Sequence, residues 1–342
     1  MEPRSSVRDA VLVVIPCLNE QRHIAAVIAT ALRDPAAERM LLVVADGGST
    51  DETRAVVSRL AACMPNLHLI PNPCKIQGAG VNLAARRFGP ECRWLVRLDA
   101  HAEYPQGFVS RLIAEAERTG ASSVVVAMKA RGMNCFQNAA AVAQNSLLGA
   151  GGSAHRRDGA EGFIDHGHHA LFDLQQFLAV GGYDETQSHN EDAEFDVRLV
   201  RTGGRIWLTR ATEVVYFPRP RARELYLQYR SYGRGRARTI LRHHLMPKLR
   251  QLIPAAVVPA VLAVLAAPWM LVAAVPAALW LLVCALSGIY LGIRGKSRCA
   301  FAAGFAAAII HLAWSIGFWQ EFLDAAVAAL SRPGVASRAA AR

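Results

Sequence analysis

Residues 252–293 form a stretch of 42 residues that contains no charged side chain. An α-helix of that length would measure roughly 63 Å, because each residue adds about 1.5 Å. The hydrocarbon core of a bilayer is only roughly 30 Å thick. We therefore predict that this stretch crosses a membrane twice, with a turn near Pro268 and Trp269 or near Pro276.

The residues after this stretch leave the number of crossings open at two or three. Residues 294–298 contain three basic side chains, which favour the cytoplasmic side of a membrane. Residues 299–322 are apolar and long enough for a third crossing. The presence of His311 and Glu321 in that segment argues against it.

The charge of the chain is concentrated in its last third. The formal net charge is +11, and 53% of the residues are hydrophobic. Residues 225–342 contain only two acids, Glu321 and Asp324, and carry the whole positive excess. A uniformly basic nucleic-acid-binding protein would not divide its charge in this way. The division instead indicates a neutral soluble domain followed by a basic, apolar membrane part.

Residues 219–250 join these two parts. They carry ten Lys or Arg residues and one acid, Glu224, with Leu and Tyr between them. This pattern predicts an amphipathic helix on an anionic membrane surface, where each basic residue contributes about 1 kcal/mol. An ordinary basic surface helix is the alternative.

The cysteines and the N-terminal sequence bear on the cellular compartment. The number of cysteines is seven, and no CxxC pair or Cys/His spacing matches a zinc site. We expect reduced thiols. The apolar run "VLVVIP" is too short for a signal peptide, which predicts that the soluble part stays in the cytoplasm.

Between residues 10 and 130, apolar runs of strand length alternate with segments of helical spacing. The predicted strands are residues 10–15, 41–45, 67–70, 94–98 and 123–127. The predicted helices are residues 21–32, 51–62, 77–88 and 107–118. The alternation indicates an α/β fold with a mostly parallel sheet. Ligands then bind outside the C-terminal ends of the strands, so the loops after residues 15, 45 and 98 share one edge.

Two loops at this edge carry candidate ligand-binding residues. Pro16 ends the first strand, and Asn19 and Glu20 follow in a loop that either binds a ligand or starts the next helix. Asp46 ends the second strand, where its carboxylate could bond a base or a ribose. No GxGxxG follows the first strand, which argues against a hydride-transfer enzyme with a dinucleotide cofactor.

The fourth strand ends at Asp99, and His101 follows two residues later. From the residues alone, this pair supplies metal ligands or caps the turn before Pro105. A further helix is predicted at residues 191–201, in "NEDAEFDVRLVRTGG".

These motifs together resemble family 2 glycosyltransferases. "VVIPCLNE", "VVADGGSTDET", a strand ending in Asp and "NEDAEFDVRLVRTGGRI" occur in the order and spacing of that family, over roughly residues 10–235. "DAHAEYP", "DHGHHALF" and the apolar tail are similar to the succinoglycan-type exopolysaccharide glucosyltransferases, which extend a lipid-linked sugar at the bacterial inner membrane.

The resemblance implies a GT-A fold, the nucleotide-sugar-binding, Rossmann-like mixed sheet. We expect a cytoplasmic GT-A domain over residues 1–218 and a basic interface helix over 219–250. A membrane domain of two or three helices over 251–331 and a basic tail over 332–342 complete the expected organisation.

The resemblance also implies a divalent metal. Relatives have Asp-x-Asp where this chain has Asp99-Ala-His101, so an imidazole replaces the second carboxylate. Imidazole suits Mn²⁺ better than Mg²⁺. We expect Asp99 to bind the metal, and His101 either to bind it or to contact the donor diphosphate.

Further roles follow from the family's motif positions. The segment with Lys75, Gln77 and Asn82 is expected to approach the base and ribose of the donor. Arg230 or Arg234, in "QYRSYGRGR", is expected to contact a diphosphate of the donor or of a lipid carrier. Processive relatives have Gln-x-x-Arg-Trp there, and its loss argues against a processive synthase. The expected donor-binding residues are Pro16, Asn19, Glu20, Asp46, Lys75, Gln77, Asn82, Asp99 and Arg234.

Asp192 matches the position of the family's catalytic base. An inverting transfer is a single displacement in which a base removes the proton of the acceptor hydroxyl. The acids at positions 191, 194 and 196 are expected to raise the pKa of Asp192. Glu194 has a structural alternative, an ion pair with Arg198 one helical turn later.

"DHGHHALF" contains Asp165, His166, His168 and His169, which we interpret as a loop that shapes the acceptor pocket. Histidines that only stabilise the loop are the alternative. We expect an inverting transferase that moves glucose from UDP-glucose to a polyprenyl-diphosphate-linked saccharide. The alternatives are a polyprenyl-phosphate sugar transferase and a catalytically silent membrane assembly module.

Overall fold

The computed structural model describes residues 10–153, 156 and 159–331. The predicted basic tail at 332–342 lies outside the described residues. The described chain contains one eight-stranded sheet with the strand order β3-β2-β1-β4-β7-β5-β8-β6. The strands are β1 (Ala10–Cys17), β2 (Met40–Asp46), β3 (Leu67–Pro71), β4 (Cys92–Arg97), β5 (Ser123–Ala130), β6 (Gly162–Ile164), β7 (His168–Asp173) and β8 (Ile206–Tyr216).

The predicted α/β architecture is confirmed, and its sheet is mixed. Strands β3, β2, β1 and β4 are parallel, whereas β7 lies antiparallel between β4 and β5. The helices that accompany the sheet are α1 (Ile24–Leu32), α2 (Thr53–Ala61), α3 (Gln77–Phe88), α4 (Phe108–Thr119), α5 (Cys135–Gln144), α6 (Leu147–Ala150), α7 (Leu174–Ala179) and α8 (Glu191–Arg201).

Strand periodicity divides the core into two layers. In β1, Val11, Val13 and Ile15 point to one face, and Leu12 and Val14 point to the other. Both faces are buried because helices cover both, which explains why this strand reads as a continuous apolar run. The C-terminal ends of β1, β2 and β4 therefore meet at one edge of a rigid sheet.

One core layer contains an aromatic cluster close to that edge. Phe172, Phe177, Tyr183 and Phe195 have ring centroids 5.2–6.0 Å apart and are buried. Aromatic pairs in such tilted and edge-to-face arrangements contribute about 0.5–1.5 kcal/mol beyond their burial. The cluster fixes the position of Tyr183, whose hydroxyl reaches the candidate site.

Five α-helices follow the sheet in the described part of the chain. They are α9 (Ala222–His243), α10 (Leu249–Ala255), α11 (Val257–Ala263), α12 (Val275–Arg294) and α13 (Ala303–Ser331). By length and composition, three described segments could span a membrane: Leu249–Ala266, Leu271–Arg294 and Arg298–Ser331. The break between the first two falls at Pro268 and Trp269, as predicted, while Pro276 lies in the first turn of α12.

The basic helix α9 packs along α13 at close range. A Cβ atom on Gly233 would overlap the carbonyl oxygen of Trp314, and one on Gly317 would overlap that of Arg230. Only glycine permits this approach of two backbones. The predicted basic helix is therefore present, but one of its faces is covered by protein.

The expectation of reduced thiols is wrong for two cysteines. Cys135, at the start of α5, and Cys299, just before α13, form a disulfide. The other five cysteines are free. The two partners lie 164 positions apart in the sequence, so only the packing of α13 against α5 brings them together.

Candidate active site

The loops after β1 and β2 are bound to each other at the C-terminal edge of the sheet. Asn19 Oδ1 accepts a hydrogen bond from the backbone amide of Thr50, and the amide of Glu20 donates to Thr53 Oγ1, both at 2.8 Å. Asn19 has a φ of +56°, which asparagine tolerates better than most residues. The Asn19 side chain thus holds the two loops together, while His23 occupies the N-cap of α1.

Four of the predicted residues meet beside the end of β4. His101 Nδ1 lies 2.9 Å from Glu20 Oε1, and Gln77 Nε2 donates to Asp99 Oδ1 at 2.8 Å. The hydrogen bond with Glu20 raises the pKa of His101. The structure therefore brings Glu20, Gln77, Asp99 and His101 together, as the parallel sheet predicts.

A buried arginine that the sequence analysis did not single out is central to the site. Arg97 Nη1 and Nη2 donate to the two carboxylate oxygens of Asp192 at 2.8 and 3.2 Å. Its Nε lies 3.5 Å from Asp99 Oδ1, and Nη1 lies 3.5 Å from Glu191 Oε1. Burial raises the pKa of Asp99, but the charge of Arg97, together with His168 and His101, outweighs burial and lowers that pKa. A charged residue inside the apolar run "WLVRL" is the signal that could have identified Arg97.

Asp99 and Asp192 face the same space. His168 Nε2 lies 3.5 Å from Asp99 Oδ2, and its Nδ1 lies 3.9 Å from Asp192 Oδ2. Tyr183 donates its hydroxyl proton to Asp192 Oδ1 at 2.9 Å. Two carboxylates from distant parts of the chain are thus held on either side of one imidazole and one guanidinium.

The expected crowding of Asp192 by neighbouring acids is wrong in its details. Glu194 accepts from Arg198 Nε at 2.8 Å, which confirms the structural alternative for Glu194. Asp196 Oδ2 lies 2.6 Å from His166 Nδ1. Glu194 and Asp196 therefore have partners of their own, and Asp192 pairs with Arg97.

Glu191 has a raised pKa. Burial and the charge of Asp192 raise the pKa of Glu191 to about 7, although Arg97 opposes them. Because the pKa of Glu191 is higher in the folded than in the unfolded state, ionisation of Glu191 destabilises the folded protein. Stability that is present below about pH 4.3 is therefore lost as the pH rises toward 7.

We therefore expect Glu191→Gln to be as stable as wild type near pH 4.5 and more stable at pH 8, by on the order of 3 kcal/mol. Thermal unfolding of both proteins across this pH range measures the difference. Glu213→Gln, which removes an exposed ion pair with Lys129, is the control and should show no such trend. A constant difference between wild type and Glu191→Gln at all pH values would contradict the expectation.

Asp99 and Asp192 open into a cavity of about 750 Å³. Its walls extend from these carboxylates to Tyr232 on α9 and Trp314 on α13. Within the described chain, Gln228 Oε1 in this wall is buried without a hydrogen-bond partner. Water or a polar ligand in the cavity would satisfy this atom.

The histidine loop lines this cavity. His166 and His168 are part of its wall, which agrees with a loop that shapes a pocket. Asp165 instead forms an ion pair with Lys248, and the His169 side chain lies outside the described part of the structure.

The arginines of α9 are divided between two faces. Arg230 donates to Gln320 Oε1 at 2.7 Å, and Arg234 pairs with Glu321 and Asp324 at 3.0 and 2.7 Å. Both predicted diphosphate ligands thus face α13, which does not support that role. Arg236 lines the cavity in their place.

Four further predicted residues lie outside the cavity wall. Asp46 is 2% exposed, and its carboxylate accepts the backbone amides of a turn, which does not support the predicted contact with a base or a ribose. Asn82 is buried and binds the backbone of Tyr183. Pro16 is buried in β1. Lys75 is exposed beside the loop after β2, with a φ of +58°.

The two predicted metal ligands fit a divalent cation if a bound ligand completes the coordination. His101 Nδ1 is bound by Glu20, which leaves Nε2 for a cation, the usual arrangement of a histidine ligand. Among the described residues, no three His, Cys, Asp or Glu side chains are grouped so that they could hold a metal. A cation beside Asp99 would therefore take most of its ligands from phosphate oxygens and water.

Comparisons with known proteins agree with this geometry. The family model "Glycosyl transferase family 2" matches residues 12–177. Succinoglycan biosynthesis protein ExoA of Rhizobium meliloti is 47% identical over 315 residues, 92% of this chain and 95% of the relative.

Two solved structures are similar at low sequence identity. Mannosyltransferase PcManGT from Pyrobaculum calidifontis, in complex with GDP-Man and Mn²⁺, has a TM-score of 0.56 at 19% identity, covering 89% of this chain and 87% of that one. GalNAc-T7 with UDP, GalNAc and Mn²⁺ has a TM-score of 0.50 at 13% identity, covering 73% of this chain and 50% of that one. The fold is the expected GT-A fold.

Proposed function

Because this chain belongs to glycosyltransferase family 2 and is a glycosyltransferase, we propose that it transfers glucose from UDP-glucose to a polyprenyl-diphosphate-linked saccharide in succinoglycan-type exopolysaccharide biosynthesis. The product is β-linked, because the reaction inverts the anomeric carbon. The observation that carries this proposal is the cavity that joins Asp99 and Asp192 to α9 and α13.

The donor binds at the edge formed by Glu20, Gln77 and Asp99. Its nucleoside lies against the loops after β1 and β2, with Asn19 and Lys75 nearby. Asp99 and His101 would hold a divalent cation, Mn²⁺ or Mg²⁺. When bound, the cation stabilises the negative charge of the departing diphosphate.

The acceptor enters from the side of α9 and α13. Its hydroxyl attacks the anomeric carbon, the bond to UDP breaks, and Asp192 takes up the hydroxyl proton. Arg97 and Tyr183 hold the Asp192 carboxylate in a fixed orientation, with hydrogen bonds of 2.8 and 2.9 Å. Such preorganisation supports catalysis because the carboxylate need not be reoriented during the reaction.

A product assay tests this proposal. Membranes that contain the protein are incubated with UDP-glucose and a lipid-diphosphate saccharide, and mass spectrometry should find the acceptor extended by one hexose. Transfer to polyprenyl phosphate itself would instead indicate a polyprenyl-phosphate sugar transferase. Binding of UDP without any product, over a panel of donors and acceptors, would indicate an assembly module.

We further propose that the protein is anchored in the bacterial inner membrane by two crossings and not three. In the third candidate segment, 44% of an apolar 18-residue stretch is buried, against 11% and 17% in the first two. Its Gln320, Glu321 and Asp324 bind arginines of α9, and a helix with so many arginines does not enter a hydrocarbon core. Helix α13 would then stay beside the cytoplasmic domain.

This topology predicts a cytoplasmic C-terminus. Alkaline phosphatase fused after residue 331 should be inactive, whereas green fluorescent protein at the same position should fluoresce. The same two reporters fused after residue 268, between the two proposed crossings, should give the opposite pattern. Active alkaline phosphatase at the C-terminus would establish a third crossing.

A further inference from the structure

Arg236 and Arg250 form a second charged region in the cavity, separate from the carboxylates. Both side chains belong to the cavity wall. The charges that act on Arg236 are those of Arg250, Asp196 and Asp165, and neither Asp99 nor Asp192 is among them. The two arginines therefore occupy a different part of the cavity from the carboxylates that are proposed to bind the donor and to act as the base.

The guanidinium groups of Arg236 and Arg250 differ from those of three arginines on α9 in their hydrogen bonds. On the same helix, Arg230, Arg234 and Arg238 each bind an acceptor on α13 at 2.7–3.0 Å. Among the residues that the structure describes, Arg236 and Arg250 make no hydrogen bond or ion pair. Burial and the charge of Arg250 lower the pKa of Arg236 to about 10. The charges of Asp196 and Asp165 oppose this lowering, but those two acids bind His166 and Lys248. Because arginine stays protonated at neutral pH, the two guanidinium groups are suited to binding an anion.

The position of the pair indicates which anion it binds. Arg250 is the second residue of the first candidate membrane span, Leu249–Ala266. Ile310 and Trp314 of α13 contribute apolar side chains to the same cavity. Arg250 also lines an adjoining groove of about 600 Å³ that contains Phe163. An anion at this place would lie where a polar cavity meets the apolar helices.

We propose that Arg236 and Arg250 bind the diphosphate of the lipid-linked acceptor, so that the lipid lies along the membrane helices and the sugar extends toward Asp192. This inference rests on the proposed function and specifies which residues bind the acceptor. The donor diphosphate has a separate site, beside Asp99, Gln77 and His101.

Binding measurements on the full-length protein in nanodiscs of zwitterionic lipid test the proposal. The probes are a polyprenyl diphosphate, the polyprenol of the same chain length, and UDP. Arg236→Gln and Arg250→Gln should each weaken binding of the polyprenyl diphosphate about tenfold, the effect of losing a hydrogen bond to a charged group. Binding of the polyprenol and of UDP should not change.

Arg223→Gln is the matched control. Arg223 lies on α9, the helix that carries Arg236, and it is exposed and not part of the cavity wall. The Arg223→Gln variant therefore removes one positive charge outside the site. It should bind all three probes as wild type does. Unchanged UDP binding also shows that the variants are folded.

The other outcomes separate this inference from the proposed function. If wild type binds the polyprenyl diphosphate and both variants bind it equally well, this inference is wrong and the proposed acceptor stands. If the variants lose UDP and keep the lipid, the pair serves the donor. If wild type does not bind the polyprenyl diphosphate, the proposed acceptor and this inference are both wrong.

Discussion

Asp192→Asn should reduce glucose transfer by about a thousandfold and leave donor binding unchanged, because general base catalysis commonly contributes 10²–10⁴-fold. Asparagine has nearly the same shape as aspartate, but its amide does not accept the acceptor proton. Arg97 keeps Asp99 and Glu191 as partners, so the network stays partly neutralised in the variant. Single-turnover transfer and UDP binding, measured on the same preparation, separate the two effects.

Two further variants make this result interpretable. Glu213→Gln removes an exposed carboxylate outside the cavity and should transfer glucose at the wild-type rate. Glu191→Gln tests the neighbouring acid, whose pKa of about 7 suits a base at neutral pH. Transfer that survives in Asp192→Asn but is lost in Glu191→Gln would assign the base role to Glu191.

The sequence alone predicted the site residues whose positions depend on the order of the strands. Glu20, Asp99 and His101 follow parallel strands whose ends share one edge, so their proximity follows from the fold class alone. Gln77 begins a helix at the same edge and binds Asp99. The alternation of apolar runs and helical spacing likewise located the first five strands to within a few residues.

Residues whose role depends on packing could not be predicted. Arg234 and Arg236 are two positions apart on α9, and only the docking of α13 decides which of them faces the cavity. Strand β7 lies within the histidine-rich segment and joins the middle of the sheet through antiparallel pairing with distant strands. Asn82 matches a donor motif, yet its side chain binds the backbone of Tyr183.

Arg97 is the most consequential residue that was not predicted from the sequence, and its removal should have the largest effect on stability. Arg97→Met leaves Asp99, Glu191 and Asp192 without their shared positive charge. Removing one partner of a buried ion pair commonly costs about 3–5 kcal/mol. Methionine retains an unbranched side chain, so the loss of charge dominates over the change in volume. Glucose transfer should fall as well, because Arg97 orients both functional carboxylates.

The pH dependence of the stability lost in Arg97→Met distinguishes an electrostatic role of Arg97 from simple packing. In wild type, Arg97 lowers the pKa of Asp99, which contributes stability above about pH 3.9 that is lost at lower pH. In Arg97→Met, the remaining acids should have raised pKa values, so their stability falls as the pH rises. Both effects make Arg97→Met less stable relative to wild type as the pH rises. The difference in free energy of unfolding between the two proteins should therefore increase from pH 4 to pH 8.

Thermal unfolding of Arg97→Met, Arg97→Lys and Arg93→Gln over this pH range completes the test. Arg93 lies on the same strand and pairs with the exposed Glu117, so its loss should cost at most about 1 kcal/mol at any pH. Lysine restores the charge but not the two parallel hydrogen bonds to Asp192, and should recover part of the stability. If the deficit of Arg97→Met did not vary with pH, Arg97 would stabilise the site by packing and not by neutralising its three acids.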